Sequence, residues 1–77
     1  MAIRVKYFAN LRETIGRSED TIEFRVGLKV ADIWEMVKGN ISDSTAYLTA
    51  LNMEYTSTDT VVKDGDEVAF FPKVSGG

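Results

Sequence analysis

At 77 residues the chain has room for one domain with one modest core, since a chain of this size buries only about 60% of its unfolded surface, and its 44% apolar and 27% charged residues are those of a folded domain. It contains no cysteine and no histidine, which excludes disulfide frameworks, thiolate or imidazole metal sites, and Cys–His or Ser–His–Asp catalysis. A net charge of −3 argues against nucleic acid as a partner.

The chain opens on Met1-Ala2-Ile3-Arg4-Val5-Lys6-Tyr7-Phe8, charged and alternating, without the continuous apolar stretch of a signal peptide or a membrane span, so a cytoplasmic protein with no membrane partner is expected. Its alternation places Ile3, Val5 and Tyr7 on one face and Arg4, Lys6 and Phe8 on the other, which predicts a half-buried first strand. The polar stretch from Asn10 to Gly16 has room for one short helical turn, and Gly16 to Asp20 reads as the turn into a second strand. That strand is expected over Thr21 to Val26, with Ile22, Phe24 and Val26 inward.

After Gly27 the apolar period changes from two to 3.6. Val30, Ile33, Trp34 and Val37 form one stripe, predicting an amphipathic helix over Val30 to Lys38 with Asp32 in its first turn and Gly39 as its left-handed end. Trp34 reads as core rather than as a ligand-stacking residue because it shares the stripe, whereas Tyr47 and Met36 stay undecided. Residues 41 to 46 read as loop. Tyr47 to Leu51 is a third strand, Asn52-Met53-Glu54 a tight turn, and Tyr55-Thr56 a short fourth strand.

The turn Lys63-Asp64-Gly65-Asp66 leads to a last strand, Glu67 to Phe71, which Pro72 ends. Asp64, Asp66 and Glu67 lack the ligand spacing of a calcium loop, so the run is read as a turn with solvated carboxylates. Strand, strand, helix, strand, short strand, strand is the order of an α+β, β-grasp fold: a mixed sheet with one helix across one face, its first and last strands neighbours at the centre. The expected organisation is a β-grasp domain over residues 1–72 and a flexible tail over 73–77.

The chain ends on Lys73-Val74-Ser75-Gly76-Gly77. Five extended residues reach about 17 Å, and two glycines let the backbone thread where a Cβ would clash. The ending reads either as an ordinary chain terminus or as a tail that carries a carboxylate into a slot on a partner. Strand parity adds a surface: if Val68 and Phe70 face the core, then Phe8 and Phe71 face away from the helix and form an apolar patch. The patch reads either as an interface or as a minor core covered by residues 10 to 16 or by the hairpin.

Both ends carry a resemblance. Val5-Lys6-Tyr7-Phe8-Ala9-Asn10-Leu11-Arg12-Glu13, Leu51-Asn52-Met53-Glu54-Tyr55, and Asp64 to Pro72 followed by Val74-Ser75-Gly76-Gly77 closely resemble the molybdopterin synthase small-subunit (MoaD-type) family, within the ubiquitin-like sulfur carriers. Pro72-Lys73 departs from it, since members usually have two prolines there.

The resemblance implies a chain with no catalytic site of its own. A ubiquitin-activating-like adenylyltransferase would adenylate Gly77, a sulfur donor protein would convert it to a thiocarboxylate, and the tail would enter the large synthase subunit, in a heterotetramer, to deliver sulfur to a pterin precursor in molybdenum cofactor biosynthesis. Gly76 and Gly77 are then the sulfur-carrying terminus, and Phe8, Arg12, Tyr55, Phe71, Pro72, Lys73, Val74 and Ser75 the partner-binding residues. No cofactor is assigned to this chain; ATP, zinc and pterin belong to partners. A modifier conjugated to lysines, a thiazole-pathway sulfur carrier and a passive binding module remain as rival readings.

Overall fold

The computed structural model describes residues 1–38 and 47–72, and for Asn10 the backbone only. Seven elements follow in chain order: β1 (Ala2–Tyr7), α1 (Asn10–Ile15), β2 (Glu19–Glu23), α2 (Val30–Val37), β3 (Tyr47–Leu51), β4 (Glu54–Thr56) and β5 (Glu67–Pro72). The five strands form one sheet in the order β2-β1-β5-β3-β4. β1 and β5 pair in parallel, with Val5 beside Val68 and Tyr7 beside Phe70, while every other pairing is antiparallel. This is the mixed-sheet β-grasp arrangement expected from the element order, with β5 in the centre of the sheet and β1 beside it.

The alternation in β1 becomes burial. Ile3 and Val5 are fully buried and Tyr7 nearly so, and they share the core with Val68 and Phe70 of β5 and with the α2 stripe Val30, Ile33, Trp34 and Val37. Rings lock the two layers together. Trp34 stands 4.3 Å from Tyr47 and 5.0 Å from Phe70, centroid to centroid, distances at which offset aromatic pairs add to simple area burial. Trp34 is therefore a packing residue, Tyr47 is half-buried against it, and Met36 faces out.

Helix α2 is fixed at its start by its own Asp32 and by carbonyls outside it. The Asp32 carboxylate accepts a hydrogen bond from the Lys29 backbone N–H at 3.0 Å, and the N–H groups of Val30 and Ala31 donate to the carbonyls of Thr60 and Thr58. The segment before β5 thus satisfies donors that a helix start leaves open. At the other end Lys38 donates to the Trp34 carbonyl; Gly39 lies outside the described residues, as does the expected loop at 41 to 46.

The second strand differs from its expected bounds. It begins two residues earlier and ends at Glu23, and Val26, expected inward, is 93% exposed. Phe24 still donates to the carbonyl of Met1, just before β1, and the chain then leaves the sheet in a turn closed by Leu28 N–H to the Arg25 carbonyl, with Gly27 at φ 86°. Leu28 takes the buried place instead, its carbonyl bonded to the N–H of Val62, which is itself buried.

Candidate functional site

One face of the sheet carries α2 and the other does not. Parity on β5 sends Phe70 into the core and Phe71 to the helix-free face, where the Phe8 ring lies 4.8 Å from it with planes 8° apart. Tyr55, paired with Ala50 across β3 and β4, leans toward the Phe71 ring at 6.1 Å. Phe8 is 42% and Tyr55 76% exposed. Among the described residues the patch is not a covered minor core: α1 turns its Leu11 into the main core, 3% exposed, while Phe8 and Tyr55 stay exposed and Phe71 half-buried.

The three rings border a groove of about 300 Å³ that also touches Lys6, Ala50, Met53 and Glu67. Its charged side is internally paired, because Glu67 Oε1 lies 3.5 Å from both Lys6 Nζ and Arg4 Nη2. Such half-exposed pairs contribute little to stability, but they leave the groove's remaining surface apolar. Arg12 is exposed on α1 and borders a second, shallower depression with Lys6, Tyr7, Phe8, Ser18 and Glu19.

Behind Phe8 the sheet edge is braced. The Tyr7 hydroxyl donates to Asp20 Oδ2 at 2.8 Å, and the same oxygen accepts from Arg17 Nε at 2.8 Å. Burial first, and then the Asp20 carboxylate, push the Tyr7 phenol well above its usual range. Burial alone would raise Asp20, but its bonds from Arg17 and Tyr7 outweigh that and hold its carboxyl below the ordinary value.

The structure therefore brings Phe8, Tyr55 and Phe71 together, with Pro72 closing β5 beside Phe71 and paired with Tyr47, and sets Arg12 at the margin. Lys73, Val74, Ser75, Gly76 and Gly77 lie outside the described residues. Sequence reasoning missed Met53 and the Lys6–Glu67 pair as parts of this surface. Parity already put Lys6 on the same face as Phe8, and the tight turn at Asn52-Met53 sits next to Tyr55, so the signals were present but not joined. Among the described residues no cluster of His, Cys, Asp or Glu has the arrangement of a metal site, and no helix is long and apolar enough to cross a membrane. Asp66 serves as a turn carboxylate, accepting from the Lys63 N–H and the Asn52 side chain.

A helix packed across one face of a mixed five-stranded sheet, with an open aromatic ledge on the other face, defines a ubiquitin-like β-grasp domain. The chain belongs to the ThiS family, whose model matches residues 5–77. It is 37% identical to the molybdopterin synthase sulfur carrier subunit of Chlamydomonas reinhardtii over the full length of both. Among solved structures, a putative molybdopterin converting factor subunit 1 from Pyrococcus furiosus is 34% identical with a TM-score of 0.76, over 96% of this chain and 99% of that one. A Helicobacter pylori structure, a complex of subunits 1 and 2 of molybdopterin-converting factor, shares the fold at a TM-score of 0.68 and 20% identity over the whole of both chains.

Proposed function

We propose that this chain is the sulfur carrier subunit of a molybdopterin synthase, acting through the carboxylate of Gly77. The observation that carries the reading is the full-length likeness to a molybdopterin synthase sulfur carrier subunit, with the family match running to Gly77 itself. The geometry agrees with it. β5 ends at Pro72 against the Phe8–Phe71 ledge, so a partner seated on the ledge receives whatever follows Pro72.

A carboxylate reacts with nucleophiles only once its oxygen has become a leaving group. In the proposed cycle the Gly77 carboxylate attacks the α-phosphate of ATP on an adenylyltransferase, giving an acyl-adenylate and pyrophosphate. Sulfide from a donor protein displaces AMP and leaves the thiocarboxylate. The charged carrier then docks on the large synthase subunit, in a heterotetramer of two small and two large subunits, and gives its sulfur to a pterin precursor. Hydrolysis regenerates the carboxylate. ATP, zinc and pterin are the partners' ligands, and the chain is a co-substrate rather than a catalyst. The domain over residues 1–72 supplies recognition and residues 73–77 supply reach.

The reading is tested by mixing the purified chain with the large subunit and a thiocarboxylate-generating system. Sulfur transfer into the pterin that requires this chain supports it, and transfer that proceeds equally without the chain overturns it.

A further inference from the structure

Three non-glycine residues among those described have positive φ: Ala9 at 52°, Asn52 at 50° and Met53 at 73°. They fall at the two ends of the ledge. Ala9 follows Phe8, while Asn52 and Met53 form the two-residue turn between Leu51 and Glu54, next to Tyr55. Two positive φ values in a two-residue hairpin loop are those of a type I′ turn, whose preferred sequence is Asn-Gly. Asn52 suits its position, tolerating the left-handed conformation. It is also tied down, its Nδ2 donating to Asp66 at 2.9 Å and its Oδ1 accepting from the Glu67 N–H at 3.0 Å.

Met53 has no such account. A side chain at φ 73° costs about 1–2 kcal/mol relative to glycine, and its thioether arm is 91% exposed, so in the free chain it is neither conformationally favoured nor packed. It lines the same aromatic groove as Phe8, Tyr55 and Phe71. Strain of this kind persists where the surrounding structure or a function holds it, and methionine adapts its shape to a partner better than a branched side chain does.

We propose that Met53 is a specificity-determining contact residue of the docking face, closing over an apolar side chain of the protein that receives the tail as that side chain enters between Met53 and Phe71. The inference rests on the sulfur-carrier reading above. The occupant is apolar because the two charged residues that line the groove, Lys6 and Glu67, pair with each other. Met53 and Phe71 both line the groove.

Turn chemistry makes the test clean, because Met53→Gly installs the residue that this turn prefers. The full-length chain, M53G and M53L are compared for thermal unfolding and for calorimetric binding to the purified molybdopterin synthase large subunit from the same source. The expected result is that M53G melts at or above the wild-type temperature yet binds about tenfold more weakly, while M53L keeps wild-type affinity. An M53G variant that binds as wild type does overturns the inference and leaves the sulfur-carrier reading intact. Loss of stability together with affinity makes Met53 a structural residue and also overturns it. A large subunit that does not bind the wild-type chain overturns the sulfur-carrier reading, and the inference with it.

Discussion

Phe8 and Phe71 stack at 4.8 Å with planes 8° from parallel, joining the end of β1 to the end of β5 on the face that α2 leaves bare. Two phenylalanines on neighbouring strands of a small domain, one of them 42% exposed, form the sort of patch that marks an interface. Phe8→Ala and Phe71→Ala are each expected to weaken large-subunit binding about tenfold or more, and the double variant by less than the product of the two, because the rings share one stack. Calorimetric titration measures this directly.

The next residue inward behaves oppositely. Phe70 is fully buried between Tyr7, Trp34 and Tyr47, so Phe70→Ala is expected to cost about 3–5 kcal/mol, a large share of the stability of any small domain. Denaturant unfolding should show F70A near or past its midpoint in buffer while F71A remains folded. Adjacent residues of the same type, separated by parity alone, then divide folding from binding.

The brace at Asp20 sets a pH dependence. Its folded pKa lies below its unfolded value, so the stability it contributes is complete above the ordinary carboxylate range and is lost as pH falls through the folded value. Asp20→Ala strips the Tyr7 hydroxyl of its acceptor and is expected to cost about 1–2 kcal/mol at neutral pH. Unfolding free energies measured from pH 7 downward should show the gap between wild type and D20A narrowing below about pH 4.

Asn52 ties the β3–β4 turn to the start of β5 through its two side-chain hydrogen bonds while holding φ 50°. Asn52→Ala removes both bonds and places a residue ill-suited to the left-handed region, an expected loss of about 2 kcal/mol. A melting temperature unchanged in N52A would contradict this role.

Regular alternation and helical period made much of the architecture legible in advance. Ile3, Val5 and Tyr7, the stripe from Val30 to Val37, and the split of Phe70 from Phe71 all follow from side-chain direction. Val26 misled because the alternation of Ile22 and Phe24 runs on into residues that have left the sheet, and the turn closed by Leu28 N–H on the Arg25 carbonyl is invisible in sequence. Leu28, Val62 and Leu11 join the core from irregular segments or from a helix of six residues, too short for a period to show. Phe8 and Phe71 of the ledge were legible because they too rest on parity, whereas Tyr55 was placed with them by the family resemblance. Met53 was not, since its significance lies in a backbone angle.

The proposed function turns on Gly77 carrying sulfur. Intact-mass analysis of the chain after incubation with ATP, sulfide and the adenylyltransferase, beside a variant lacking Gly77, tests it most directly. A gain equal to the exchange of one oxygen for one sulfur, confined to the full-length chain, is the predicted result. No gain from an adenylyltransferase shown to be active on another carrier would contradict it.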